Sequence, residues 1–200
     1  MSSETTRQHP AGPPAREVRP TSKGIGRGSS IAAERVSDDL RRGAGDFLEQ
    51  RRRVSALTLA SMAALGVVAA YQNGLIRRPP EPRVSPLDAE RVDASGEAYQ
   101  LFRTPDAALG LLSGAATLVL AGIGDRGRSR SLPLVPLALA VKAAVDATSA
   151  GVLTVEQMSK HRRFCSWCLV AAAANLAAFP LTLPEAKASW RRLRGQRRAR

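Results

Sequence analysis

Aromatic side chains are scarce in this chain of 200 residues, of which only 4% are Phe, Trp or Tyr. A core buried away from water would have to depend on Ala, Leu and Val, and alanine removes little apolar area from water. This scarcity disfavours a water-soluble core. It does not count against a membrane protein, because small residues let helices approach closely inside a bilayer.

Cysteine is scarcer still, with only Cys165 and Cys168 in the whole chain. A disulfide that closes so short a loop constrains little of the unfolded chain, so a stapling role is disfavoured. Two thiolates make half of a tetrahedral zinc site and only His161 is a further candidate ligand nearby, so we expect no metal. Thiol–disulfide exchange fits best, because Arg162, Arg163 and the positive end of a helix starting here favour the attacking thiolate.

Acidic residues are too few to balance the basic ones, and the formal net charge is +13. The basic segments contain no interleaved aromatic residues and no nucleic-acid motif, so we expect no nucleic-acid partner. Arginine clusters that flank apolar runs are instead typical of the positive-inside rule. We therefore expect these arginines to meet anionic membrane lipid.

Four apolar runs predict an all-α fold, a four-helix transmembrane bundle. About 20 apolar residues cross a bilayer at a rise of about 1.5 Å per residue. The predicted helices cover about 54–76, 107–123, 132–155 and 164–183, within a membrane domain at 54–184.

The two ends of the chain differ in composition from this domain. Residues 1–53 are predicted to form a disordered cytoplasmic tail with an amphipathic stretch at Ile31 to Arg53, which we expect to form a helix on the membrane surface. Residues 185–200 are predicted to form a second disordered tail, which is strongly basic.

Two of the apolar runs contain residues that suggest contacts between helices. Gly110 and Gly114 form a small-xxx-small pair that permits close helix packing. Lys142 and Asp146 lie four residues apart, so they share one helix face and are expected to pair. Charges inside a membrane mark either structural pairs or functional positions, and the spacing leaves both readings open.

The distribution of arginine predicts the topology. Arginine is enriched in the N-terminal flank, the loop at 124–131 and the C-terminal tail. We therefore expect the protein to lie in a bacterial cell membrane with both termini on the cytoplasmic side. The cysteine pair then lies at the outer edge of the membrane, in the compartment where disulfides persist. Lys160, Arg162 and Arg163 are an exception to the charge rule, because this topology places them outside.

The sequence resembles the vitamin K epoxide reductase family over about residues 54–184. The matching stretches are Val92 to Ser95, Thr104 to Gly110, and Phe164-Cys165-Ser166-Trp167-Cys168 through Asn175. This resemblance implies an integral membrane thiol–disulfide oxidoreductase that couples its Cys-x-x-Cys pair to a quinone of the menaquinone or ubiquinone type.

The resemblance also implies roles for single residues. Cys168 is expected to face the quinone and Cys165 to be its exchange partner. Asp106 stands where many members have an asparagine that hydrogen-bonds a quinone oxygen, and Asn175 is the second residue expected to bind the cofactor.

The chain departs from the family pattern at two places. The loop at 77–105 lacks the usual second cysteine pair, with Ala94 at the position of one of its members, and Ala172 replaces a tyrosine of the quinone pocket. An extracytoplasmic, thioredoxin-like thiol partner would then have to reach Cys165 directly. The alternative is a non-catalytic membrane scaffold or partner-binding protein that retains the fold. The redox state of its cysteines would then be independent of the redox state of the quinone pool.

Overall fold

The computed structural model describes residues 30–45 and 47–198, without the side chain of Arg197, and every element in these residues is helical. Within these described residues, seven α-helices follow one another: α1 (Ile31–Arg42), α2 (Leu48–Gln72), α3 (Ala89–Asp93), α4 (Asp106–Gly122), α5 (Arg128–Ser131), α6 (Leu134–Glu156) and α7 (Ser166–Arg198). A 3₁₀ turn at Gly96–Tyr99 follows α3, and a π turn at Gln157–His161 follows α6. The all-helical prediction is confirmed.

In the part of the chain that the structure describes, three helical segments are long and apolar enough to cross a membrane: Leu48–Gln72, Leu134–His161 and Ser166–Gln196. The fourth apolar helix, α4, has 17 residues. It is about 25 Å long at the α-helical rise, slightly less than the thickness of about 30 Å of a typical hydrocarbon core. The four-span count therefore stays a prediction.

Large apolar side chains point outward from all four of these helices. Leu59 on α2 is 55% exposed, Leu112 on α4 70%, Val141 on α6 66% and Leu176 on α7 51%. Only 22–28% of each membrane-length window is buried within the protein. Exposed apolar surface of this extent suits contact with lipid tails and would promote aggregation in water.

The bundle is organised around α7, which packs along α2 and α6, while α4 packs mainly on α2. Gly110 and Gly114 lie at the α2–α4 contact. A Cβ atom at these positions would come within 2.7 Å of Leu65 and 2.6 Å of Met62. The predicted close helix packing at the glycine pair is confirmed.

The predicted pairing of Lys142 with Asp146 is also confirmed. The Lys142 Nζ lies 2.6 Å from the Asp146 Oδ2. Ser113 and Thr117 of α4 donate hydrogen bonds to the same carboxylate, at 2.8 and 3.1 Å. The charges therefore face the protein interior and link α4 to α6.

A cluster of buried charged side chains lies at the end of the bundle opposite the cysteines. We call it the arginine clamp, and it consists of Arg51, Arg128 and Glu185. The last carbonyl groups of a helix have no partner within the helix. Arg51 donates to the carbonyl of Ala121 at 3.0 Å, and Arg128 donates to that of Leu120 at 2.7 Å, so both arginines satisfy the end of α4. Arg128 also binds Glu185 through two hydrogen bonds of 2.7 Å.

The amphipathic stretch expected to be helical is a helix over residues 31–42, whereas the predicted C-terminal tail needs revision. Residues 31–42 form α1, and Arg52 donates to carbonyls of this helix region, at 2.9 Å to that of Leu40. The disorder predicted for residues 1–29 lies outside the described residues. The boundary predicted at residue 183 is wrong, because α7 continues through Pro184 to Arg198 and buries Glu185 and Ser189 on the way.

Candidate functional site

The site lies at the start of α7, beneath the loop that joins α2 to α4. Phe164 exchanges two backbone hydrogen bonds with this loop, donating to the Pro86 carbonyl at 3.1 Å and accepting from Asp88 N–H at 2.9 Å. The indole N–H of Trp167 donates to the Pro80 carbonyl at 2.9 Å. These contacts hold the loop over Cys165, which is 0% exposed.

Glu81 fastens the loop by capping two helices at once. One carboxylate oxygen accepts from the Ala89 N–H at the start of α3, and the other accepts from the Ser166 N–H at the start of α7, each at 2.6 Å. A carboxylate at a helix N-terminus satisfies unpaired N–H groups and opposes the positive end of the helix dipole. The Glu81 carboxylate thus links the loop to the start of α7, the helix that carries Cys168.

The two cysteines are adjacent, and both are free thiols in this structure. The Cys168 N–H donates to the Cys165 Sγ at 3.2 Å, and the Cys165 N–H donates to the side-chain oxygen of Gln157 at 3.0 Å. The first bond follows from the spacing, because residues three apart at a helix start lie on the same side of one turn. Cys168 is half-buried, whereas Cys165 is closed off from solvent.

Asp93, at the end of α3, completes the cluster. The Cys168 thiol donates to the Asp93 Oδ1 at 3.4 Å. Potential ligand atoms of Asp93, Cys165 and Cys168 all lie within 4.8 Å of one another. Asp93 is only 2% exposed. The sequence match to the family includes this residue, but nothing in the chain from residue 93 to residue 165 signals that it meets the cysteines.

Burial changes the acidity of this carboxyl group. It raises the pKa of Asp93 from its ordinary value of 3.8 to about 6, and the nearby charges of Asp106 and Glu81 act in the same direction. The hydrogen bonds from the two thiols oppose the shift. Asp93 can therefore gain or lose a proton close to neutral pH, right beside the thiol of Cys168.

Substituting Asp93 by asparagine is expected to stabilise the protein at pH 8 by up to about 3 kcal/mol, the free energy of a pKa raised by about two units. In the native protein, the contribution of Asp93 to stability is fully present below about pH 4 and is lost as pH rises through its raised pKa of about 6. The gain in the variant should accordingly vanish at pH 4. Thermal unfolding followed by tryptophan fluorescence in metal-free detergent buffer measures both values.

The control for this comparison is Glu90→Gln, which removes an exposed carboxylate from the same short helix. We expect no pH-dependent stability change from it. Equal stability of Asp93→Asn and the parent protein at pH 8 would contradict a buried, destabilised carboxylate.

Gln72, the last residue of α2, connects this cluster to Asp106. Its side-chain NH₂ donates to the Asp106 Oδ1 at 2.7 Å and lies 3.4 Å from the Asp93 carbonyl oxygen, while its side-chain oxygen accepts from the Ala107 N–H at 3.3 Å. A continuous chain of polar contacts therefore runs from Cys168 through Asp93 and Gln72 to Asp106.

Asn175, the other residue expected to bind the cofactor, lies elsewhere. It is seven residues beyond Cys168 on α7 and half-buried, about 10 Å further along the helix axis. Among the described residues it takes no part in this chain of contacts. The structure thus brings Cys165, Cys168 and Asp106 into one polar region and leaves Asn175 two turns away.

The residues of α3 differ in their environment. Ala94, which the resemblance aligned with a shuttle cysteine, is exposed at the end of α3. Ala89 and Val92 are buried in the same apolar cluster as Cys165. The residues of α3 that share the buried environment of Cys165 are therefore apolar and carry no thiol.

His161 faces a different environment from the cysteines. Its imidazole lies 3.2 Å from a Glu97 carboxylate oxygen. With Arg91, Lys160, Arg162 and Arg163 it lines a cavity of about 480 Å³. The third ligand-type side chain beside the two thiols is thus Asp93 and not His161.

Comparison with known protein families identifies the chain's family. A family model described as "Vitamin K epoxide reductase family" matches residues 53–183, well over half of the chain. A comparison with curated proteins found no match. The matched region begins within α2 and runs to the predicted end of the last span, and it contains Asp93, Cys165 and Cys168.

Proposed function

Because this chain belongs to the vitamin K epoxide reductase family, we propose that it is an integral membrane thiol–disulfide oxidoreductase in which Cys165 and Cys168 pass electrons to a quinone. The observation that carries the proposal is the contact between a free Cys-x-x-Cys pair and a buried carboxylate at the mouth of an apolar helical bundle. Among the described residues, the Asp93 Oδ2 is buried without a hydrogen-bond partner, a costly arrangement that a purely structural scaffold does not require.

The reaction starts with both cysteines reduced. Two S–H bonds break and one S–S bond forms between Cys165 and Cys168, which releases two protons and two electrons. Asp93 accepts the hydrogen bond of the Cys168 thiol and is the group placed to take its proton. The Cys168 N–H, which donates to the Cys165 Sγ, offers a hydrogen bond to negative charge on that sulfur.

The residues around Cys168 suit a quinone. The chemistry that such a group supplies when bound is that of an acceptor for the two electrons and two protons. Leu65, Ala69 and Trp167 pack, as Cys168 does, against the buried apolar cluster that contains Cys165, and they offer apolar surface for a flat ring. Asp106, when ionised, accepts hydrogen bonds only, so it suits the hydroxyl group of the reduced product better than a quinone carbonyl.

We further propose that four helices cross the membrane, with both termini in the cytoplasm and the cysteines on the outer side. Three of these helices have membrane length. The hydrogen bond from Arg51 to the end of α4 supports placing the end of this shorter helix beside the inner, arginine-rich flank. A bacterial cell membrane provides both the quinone and the oxidising outer compartment.

The thiol that re-reduces the pair is proposed to belong to a thioredoxin-like protein outside the membrane. Cys165 is buried under the loop, so a partner reaches it only after the bonds of Phe164 and Ser166 to that loop break. Exchange therefore requires loop movement as well as a free thiolate.

Thiol trapping in intact cells tests the function. We expect the pair to be oxidised when the quinone pool is oxidised, and reduced when the pool is held reduced, because the pool is the acceptor. A maleimide reagent large enough to shift the gel band reports the two states.

Two variants serve as controls for this experiment. Cys168→Ala is expected to leave Cys165 reduced under both conditions, and Glu90→Gln to respond like the parent protein. If the cysteine pair keeps the same redox state with an oxidised and with a reduced quinone pool, the proposal is wrong and the scaffold alternative is favoured.

A further inference from the structure

We propose that the reduced protein binds a thiophilic divalent metal ion, zinc above all, through Cys165, Cys168 and Asp93, and that the bound metal blocks disulfide formation. Binding itself follows from the ligand set alone. The blocking effect rests on the redox function proposed above, since it concerns the same two sulfurs.

The spacing of the three ligand atoms matches a tetrahedral zinc site. Zinc–sulfur bonds of about 2.3 Å and zinc–oxygen bonds of about 2.1 Å separate two sulfurs by about 3.8 Å, and a sulfur from an oxygen by about 3.6 Å. All three atoms already lie within 4.8 Å of one another, and the Cys168 Sγ is 3.4 Å from the Asp93 Oδ1. Small side-chain adjustments therefore suffice to close the site.

One carboxylate oxygen of Asp93 is available to bind a cation. Its Oδ2 atom is buried and has no hydrogen-bond partner among the residues that the structure describes. A buried carboxylate oxygen without a partner costs free energy, and this cost is relieved when a cation binds. The Oδ1 atom of the same side chain contacts Cys168. The oxygen that lacks a hydrogen-bond partner among the described residues therefore lies within the proposed site.

The remaining coordination position is open. Three protein ligands with a fourth position left to water is a common zinc arrangement. Cys168 is half-buried, which leaves a way in for the ion and its water, whereas Asp93 and Cys165 are buried. The N–H of Cys168 also offsets part of the negative charge of two thiolates and a carboxylate.

Metal binding and oxidation exclude each other chemically. The metal needs both sulfurs as thiolates, and a disulfide offers neither of them. A metal ion bound to the reduced cysteine pair would keep the pair reduced until the ion dissociates. The same cluster thereby becomes a regulated site, in which zinc availability limits the return to the disulfide.

Cobalt titration of the full-length, reduced protein in detergent tests the binding. Cobalt is a spectroscopic substitute for zinc, and its thiolate complexes absorb in the near ultraviolet. We expect one cobalt per chain, no thiolate–cobalt band in Cys165→Ser or Cys168→Ser, and affinity lowered about tenfold or more in Asp93→Asn, since changes even outside the ligand shell cost 10–100-fold. Glu90→Gln, on the same short helix, should bind like the parent protein.

Several outcomes would overturn the site. One is an absence of the thiolate–cobalt band in the parent protein, and another is unchanged affinity in Asp93→Asn. Zinc should also stop quinone-linked oxidation of the parent pair, and oxidation at an unchanged rate with zinc bound would refute the block. If quinone fails to oxidise the pair in chelator-treated protein, the redox function fails, but the cobalt result is unaffected.

Discussion

Replacing Glu185 by alanine is expected to lower the free energy of unfolding by about 3–5 kcal/mol, because it strands a buried guanidinium charge without its partner. Arg128 is 0% exposed and Glu185 is 3% exposed. The two side chains form a bidentate pair at 2.7 Å, the strongest geometry available to this kind of contact. Arg128 also satisfies carbonyl groups at the end of α4, so its displacement would disturb that helix as well.

Thermal unfolding in detergent, followed by tryptophan fluorescence, measures this loss. Arg53 and Glu49 provide the matched control, since they also form an ion pair but on the surface, with side chains 63% and 59% exposed. Glu49→Ala should cost at most about 1 kcal/mol. An equal effect of the two substitutions would contradict a buried, structurally important pair.

A double variant separates the charge from the packing. Arg128→Met combined with Glu185→Leu removes both charges and keeps most of the volume, so part of the loss should return. Full recovery is not expected, because Met cannot donate to the Leu120 and Ile123 carbonyl groups that Arg128 holds.

The clamp shows what spacing along the chain cannot reveal. In the sequence, Arg128 is one of three arginines in a short loop, and the positive-inside rule explains all three equally well. Only packing distinguishes it, since its partner lies 57 residues away. The same applies to Pro184, which predicts the end of a helix, although α7 continues because its next turns bury Ser189.

Features with a local cause were predictable. The apolar runs predicted α4 and α6 to within two residues at each end, whereas α2 begins six residues and ends four residues earlier than predicted. The glycine pair and the Lys142–Asp146 pair are periodic signals on single helices. The proximity of Cys165 to Cys168 is equally local. Asp93, Glu81 and Gln72 enter the site from other segments, and no pattern within one segment predicts contacts between two.

Replacing Glu81 by alanine is expected to speed alkylation of Cys165 by about 10–100-fold. Cys165 is 0% exposed, so a reagent reaches it only when the loop opens. Glu81 joins the loop to α7 through its 2.6 Å bond to the Ser166 N–H. A hydrogen bond to a charged group contributes about 1.5–3 kcal/mol, and losing it raises the open population by the corresponding factor.

The measurement uses Cys168→Ala as its background, so that maleimide reports on Cys165 alone. Glu81→Gln should give an intermediate rate, because the amide has one acceptor oxygen for the two N–H groups that Glu81 now serves. Glu97→Gln is the control, since Glu97 contacts His161 and not the start of α7. If Cys165 already reacts in the background variant as fast as in unfolded protein, the loop does not seal it, and a partner thiol needs no opening step.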